Sequence, residues 1–404
     1  MPPNSVNRTR VRNISLGQFF SKVEVGTALA SFIDGGDNIS MVDLGAGDGS
    51  LSRSVSSAWP LSKMVTIDVD ERLVPEQFAP LHFHIAGDAL NVHLPQQLEQ
   101  KYGTFDLAIC NPPYVKRAWR SEFAHILAEA GLAEVCPVFP EARLEIVFLA
   151  QLLRIVRTGG QLALIIPDGP ISGERHRQLR QHLLLNHKVE RVISLPSGMF
   201  VGTEARAHIL ILRKGRGPSE MVSIAELRSG EGLSSPIAVD LEAATDRLDY
   251  AFHATKANVV GAGSMMLREL GGTLVRGAIR SSSLRSHAAT FHTSDFPRSM
   301  GVAKVRLPSC TALEGVYPVA APKDILVARV GRCLEDKVCV VSAGYAYLSD
   351  CVFRLRVPDE LAARVLENLT SSRGRAYLRA VSRGVGARYL TADALLDFRV
   401  EGAG

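Results

Sequence analysis

The chain has 404 residues, of which 46% are apolar and 22% charged, with a net charge of +5; this leaves room for two or three domains and excludes a disordered or fibrous chain. No apolar run approaches the roughly 18 residues of a membrane span, and the basic N-terminus MPPNSVNRTRVRN is followed by no apolar stretch, which excludes a secretory signal. The six cysteines (110, 136, 310, 333, 339 and 351) include no CxxC pair, so a reducing cytoplasmic setting is expected, with no disulfide frame and no metal site.

Strand and helix patterns alternate through the first 244 residues. A helix is expected over 23–33, then apolar strands at 40–45, 63–70, 81–88 and 105–110. A helix over 141–157 and a strand at 161–167 come next, then a helix over 174–186 and strands at 189–196 and 208–214. Such alternation implies a mostly parallel sheet covered on both faces. The last two strands have no helix-length pattern between them, so they are expected to pair antiparallel at one edge. GRGPSE and RSGEGLSSP then mark a boundary region. From about 260 the pattern is mixed, with short strands at 324–330, 337–343 and 351–357. A helix follows from Asp359, with a break near Ser371.

Charge divides unevenly along this order. Residues 245–404 hold 22 Lys+Arg, 18 of them Arg, against 15 Asp+Glu, a net of +7, whereas residues 1–244 carry −2. A basic region beside a near-neutral one suits a polyanion partner. Arg373, Arg375, Arg379, Arg383 and Arg388 recur on or just after a helix and are candidates for phosphate contacts. The histidines at 82, 84, 176 and 182 read as ordinary packing residues.

Four strand ends carry polar groups. The first strand runs into DLGAGDG, from Asp43 to Gly49, where Gly45, Gly47 and Gly49 let backbone pass close to a ligand and turn into a helix. The second ends at Asp68, about 20 residues on, where an acid suits ribose hydroxyls. The third ends at Gly87-Asp88, which puts a second carboxylate on the same rim. The fourth, FDLAIC, ends in Asn111-Pro112-Pro113-Tyr114. Two prolines fix φ near −65° and donate no N–H, so this loop is stiff.

These residues in this order resemble the S-adenosylmethionine-dependent methyltransferases. More closely, they resemble the γ-class adenine-N6 DNA methyltransferases, including modification subunits of type I restriction systems. The likeness rests on GQFFS (17–21), DLGAGDG, NPPY, GGQLALIIPDG (159–169) and VISLPSGMFVGTEARAHILILRK (192–214). Ser21-Lys22 stand where that family has Thr-Pro, and a serine hydroxyl still bonds the methionine carboxylate. Residues 260–404 are similar, more loosely, to target-recognition domains of restriction specificity subunits, in APKDILVARVG, AYLSDCVFRLR and RGVGARYLT.

The resemblance implies an α/β Rossmann-like methyltransferase sheet of seven strands with its last pair antiparallel, over residues 1–244. A smaller mixed α+β DNA-recognition domain would occupy 245–404. The implied cofactor is S-adenosyl-L-methionine, held by Ser21, Asp43, Gly45, Gly47, Gly49, Asp68, Asp88 and Pro113. The implied partners are double-stranded DNA and a separate restriction endonuclease or other restriction-modification subunit.

The chemistry fits NPPY. The adenine amine is a poor nucleophile because its lone pair is delocalised, and two acceptors on its N–H groups localise that pair. The Asn111 side-chain oxygen and the Pro112 carbonyl are those acceptors, so Asn111, Pro112 and Tyr114 are the candidate catalytic residues. The base has to leave the duplex, at a cost of a few kcal/mol. Stacking on Tyr114 and Phe200 returns about 1–3 kcal/mol per base.

Other functions stay open at this point. A protein-glutamine methyltransferase also uses NPPY, but those chains are shorter and carry a helical domain ahead of the glycine loop. Methylation of RNA is a further enzyme reading. A catalytically silent DNA-binding defence subunit belongs to another class, and intact NPPY and DLGAGDG argue against it. No nuclease constellation is visible, so cleavage is expected from a partner.

Overall fold

The computed structural model describes residues 23–73, 79–136, 141–196, 206–257, 263–280, 282–283, 289–297, 302–309, 317–384 and 387–402. The chain forms two compact units, Met1–Tyr250 and Ala251–Gly404. Ser21 and Phe200, both expected at the site, lie outside the described residues.

In the first unit the described chain opens with helix α1 (Val23–Ser31), strand β1 (Ile39–Leu44), helix α2 (Ser50–Ala58) and strands β2 (Leu61–Asp68) and β3 (His82–Ala86). Helix α3 (Leu94–Tyr102) leads to β4 (Phe105–Cys110), a short β5 (Lys116–Ala118) and helix α4 (Ser121–Glu129). A short β6 (Glu141–Arg143) precedes helix α5 (Leu144–Ile155) and the long β7 (Val156–Pro167). Helices α6 (Asp168–Ser172) and α7 (Arg177–Asn186) lead to β8 (Lys188–Ser194) and β9 (Ala207–Arg213). Strands β10 (Met221–Arg228), β11 (Gly232–Leu233) and β12 (Ile237–Asp240) and helix α8 (Leu241–Asp246) complete it.

The ten-stranded sheet runs β11-β10-β8-β9-β7-β4-β1-β2-β3, with β12 on β10. Pairing is parallel from β3 through β7. Strand β9 lies antiparallel between β7 and β8. This is the expected Rossmann-like methyltransferase sheet, with two corrections. The antiparallel pair is not at the edge, because β10 adds parallel to β8. The sheet therefore exceeds seven strands, and the stretch read as a boundary supplies the extra ones. Its Gly and Ser residues make the turns between β10, β11 and β12, while MVSIAELR carries a strand.

The strands read as near-continuous apolar runs because both faces are covered. Val42, Leu44, Ile67 and Ala108 pack with α4 and α5 on one face. Met41, Met64, Leu107, Ile109 and Ile165 pack with α1 and α2 on the other. In α5 every residue but Arg154 is buried, so the helix carries no amphipathic stripe. Its expected start at 141 is corrected: Glu141–Arg143 instead pair with Lys116–Ala118. The next strand begins at Val156 rather than 161 and turns through Gly159 at φ +78°.

The second unit has a five-stranded sheet in the order Thr273–Arg276, Val352–Arg356, Ile325–Ala328, Val338–Ala343 and Ala303–Arg306. Its pairings are antiparallel except the last. The helix pattern from Asp359 breaks at Ser371 into Asp359–Thr370 and Ser372–Val381. The Ser371 hydroxyl caps the second helix by accepting from the Gly374 N–H at 3.0 Å.

Candidate active site

The register aligns Leu44 with Ile67 on β2 and with Cys110 on β4. Gly45, Asp68 and Asn111 therefore leave three neighbouring strands along one rim. Strand order reverses between β1 and β4, which is where open α/β sheets bind ligands. A cleft of about 480 Å³ lies there. It brings together Asp43, Gly45, Gly47, Asp68, Asp88, Asn111 and Pro113 from the residues expected at the site. Pro112, Tyr114 and Gly49 belong to the same loops without lining it.

The glycine loop is fixed by its own backbone. Gly45 and Ala46 both donate to the Ile67 carbonyl, at 2.8 and 3.0 Å. Gly45 sits at φ +73°, and a Cβ there would stand 3.6 Å from the Phe148 ring. Gly47, at φ +59°, donates its N–H to the Asp68 carboxylate at 2.8 Å. The other Asp68 oxygen accepts from the Asp70 N–H at 2.8 Å. Asp68, only 4% exposed, thus ties the loop after β1 to the end of β2.

Asp43 lies beneath the loop, 1% exposed. Burial pushes its carboxyl up to about 7. The Ser52 hydroxyl, donating at 2.6 Å, works against that shift, and the charges of Asp68 and Asp48 add to it. Asp88 is held at the outer end of the cleft: one oxygen accepts from the Leu90 N–H at 2.9 Å, the other from Arg120 Nη1 at 3.2 Å.

At the β4 loop the Tyr114 hydroxyl donates to Asn111 Oδ1 at 3.2 Å. This fixes the amide so that Oδ1 is the oxygen. A carbonyl oxygen has two lone pairs and can accept from more than one donor. Tyr114 is half-buried against the core on the α1–α2 face, and burial raises its hydroxyl well above the ordinary range, with Cys110 and Glu145 adding to the shift. The phenol therefore stays protonated and keeps donating.

Other lining residues were not singled out in the sequence. Leu144 and Phe148 come from α5, Phe123 from α4, and Arg117 and Arg120 from just past NPPY. The two arginines had a visible signal, KRAWR next to the proline loop. Phe148 had none, because an all-buried helix has no periodicity to mark one face.

The C-terminal arginines differ from a simple solvated row. Arg379 Nε donates to Glu335 Oε1 at 2.8 Å, and Arg388 Nη1 stands 3.9 Å from the other Glu335 oxygen. Arg383 is 8% exposed, and its backbone exchanges two hydrogen bonds with Tyr389. Arg373 pairs with Glu401. Arg383, buried, is corrected from a surface contact to a residue of the fold. Arg379 and Arg388 serve Glu335 first.

Comparison with known proteins follows the same division. Residues 76–234 match the family model N-6 DNA Methylase, and residues 14–132 match Methyltransferase small domain. Both matches fall within the first unit. It is 28% identical over 203 residues to the type II methyltransferase M.BsuBI of Bacillus subtilis, covering 45% of this chain and 39% of that one. It is 24% identical over 119 residues to the type I restriction enzyme MpnII methylase subunit of Mycoplasma pneumoniae, covering 29% and 22%. The chain thus spans less than half the length of these curated relatives. In fold, it is similar to the type IIG restriction endonuclease BpuSI, with a TM-score of 0.54 and 12% identity, over 95% of this chain and 58% of that one. Among the described residues no helix is long and apolar enough to cross a membrane.

Proposed function

We propose that this protein methylates the N6 amine of a flipped-out adenine in double-stranded DNA, with S-adenosylmethionine as methyl donor. One observation carries the reading: the Gly45–Gly49 loop and the Asn111–Tyr114 loop open on a single cleft from adjacent strands. The lining suits that cofactor. Carboxylates at 43, 68 and 88 match its hydroxyls and amines, and Val69, Leu90, Phe123 and Phe148 offer an apolar seat for its adenine ring. When bound, the cofactor supplies an electrophilic methyl group on a sulfonium.

Asn111 Oδ1 and the Pro112 carbonyl accept the two N–H bonds of the target amine and concentrate its lone pair. The donation from Tyr114 to Asn111 Oδ1 orients that amide, so Tyr114 is a positioning residue as well as a stacking surface. These two acceptors, placed in advance, cost no reorganisation at the moment of reaction. No side chain is needed as base before transfer, since the proton leaves the methylated amine afterwards. Ser21 and Phe200 keep their proposed places at the methionine carboxylate and the target base. The second unit supplies sequence recognition, with Arg373, Arg375 and the exposed Arg379 on phosphates, and a separate nuclease subunit supplies any cleavage.

Incubation with methyl-labelled S-adenosylmethionine and duplex DNA, tRNA or a release-factor protein tests the reading. Label is expected in DNA, and label confined to tRNA or protein would overturn it.

A further inference from the structure

The cleft has a feature its cofactor does not call for. Lys116, Arg117 and Arg120 lie within five residues, starting two past Tyr114, and all three are exposed. Arg117 and Arg120 line the cleft and therefore stand at its mouth. Lys116 is engaged by Glu141 at 3.0 Å. Arg120 is braced from below, its guanidinium 4.5 Å from the centre of the Phe123 ring. Phe123 is itself buried and meets Trp119 edge-on at 6.0 Å. S-adenosylmethionine carries one carboxylate and no phosphate, so two guanidinium groups at one lip exceed its needs. The residues before 245 carry a net of −2, so this concentration of cations is local.

Arg120 also occupies a group the cofactor would use. The apolar part of the lining, Val69, Leu90, Phe123 and Phe148, places an adenine ring beside Asp88. The ring's exocyclic amine is a donor, and Asp88 Oδ2 is the oxygen that Arg120 holds at 3.2 Å. The second oxygen is tied to the Leu90 N–H. Amine and guanidinium thus meet at the same carboxylate.

We propose that Arg120 is a shared ligand: the cofactor's adenine amine takes Asp88 from it, and the released guanidinium binds a backbone phosphate of the DNA beside the target base. This rests on the DNA-methyltransferase reading. Both partners of the ion pair are nearly half exposed, at 44% and 48%, so the pair is weak and its exchange changes affinity by no more than about fivefold. Exchange makes cofactor and DNA binding cooperative, and the coupling is reciprocal.

The test uses the full chain, a fluorescent duplex for anisotropy and S-adenosylhomocysteine for calorimetry. In the wild type, S-adenosylhomocysteine is expected to tighten DNA binding by about two- to fivefold. It should also steepen the logarithmic salt dependence by about 0.9, one phosphate's worth. Arg120→Gln should bind S-adenosylhomocysteine as well as the wild type or up to about fivefold better, and should show neither the tightening nor the steeper slope. Weaker cofactor binding in Arg120→Gln would mean that Arg120 supports Asp88 rather than competing for it, and would overturn the proposal. Unchanged coupling in that variant would also overturn it. A wild-type protein that bound no duplex at all would instead remove the functional reading, and the phosphate contact with it.

Discussion

The two units place chemistry-bearing residues differently. In the first, long parallel strands are buried on both faces, and Asp68, Asn111 and the glycine loop meet at their ends. In the second, the described strands are at most six residues long, mostly antiparallel, and charged side chains occur throughout. Glu335 is drawn inside to hold Arg379 and Arg388. A polar residue at a buried strand's end has few structural reasons to be there, whereas an arginine on a small, mixed domain has many. The proposed catalytic role therefore reads from the first unit residue by residue, and the proposed recognition role reads from the second only as a charge balance.

Separating the units gives the largest expected effect. Strands β10 to β12 belong to the first sheet, and buried Arg247 pairs with Asp249 at 2.7 Å, so the cut falls after Tyr250. Residues 1–250 should still bind S-adenosylmethionine in calorimetry. They should lose sequence discrimination in DNA binding, a loss of about 10³-fold or more, with a shallower salt dependence. Retained discrimination would place recognition in the catalytic unit.

Next in size is a pH effect within the first unit. The folded protein holds the Asp43 proton up to about pH 7, against an ordinary 3.8. That contribution to stability is complete below about pH 4 and is lost as pH rises to about 7. Asp43→Asn should remove this dependence, worth about 4 kcal/mol at most. Urea unfolding at pH 5 and pH 8 checks it, and parallel losses in both proteins would count against a buried acid at 43.

A smaller effect is expected at Gly374, where a Cβ would stand 2.1 Å from the Asn368 carbonyl oxygen. Gly374→Ala should destabilise the second unit by about 1–3 kcal/mol without changing cofactor affinity. The smallest is Glu335→Gln, which weakens the hold on Arg379 and Arg388 by about 1 kcal/mol. Thermal unfolding should drop while DNA affinity holds or rises, since two arginines are loosened. A fall in DNA affinity at unchanged stability would make Glu335 a positioning residue for phosphate contacts.

Much of the first unit was legible because its signals are local. Strands β1, β2 and β4 announce themselves by apolar runs, and their ends by Gly, Asp and Asn-Pro-Pro-Tyr. The helix break at Ser371 was legible too, since Ser-x-x-Gly both caps and permits the close approach. Strand β10 was not, because the glycines flanking MVSIAELR resemble a linker, and only pairing with β8 makes the segment a strand. Phe148 was hidden in a helix buried all round. The Asp88–Arg120 pair spans 32 residues, and no spacing rule joins them. The fates of Arg379 and Arg388 depend on Glu335, 44 residues before Arg379, which only the fold brings near.

In the proposed reaction the Asn111 loop presents an adenine amine to the cofactor in one cleft. The most direct measurement is nucleoside analysis of plasmid DNA after incubation with S-adenosylmethionine and either wild-type protein or Asn111→Ala. The account predicts N6-methyladenine from the wild type. It predicts a yield lower by about 10²–10³-fold from the variant, whose cofactor affinity by calorimetry stays within about threefold, because Asn111 serves the amine and not the sulfonium. Methylated cytosine in place of N6-methyladenine, or a variant that loses cofactor binding as fully as it loses methylation, would contradict it.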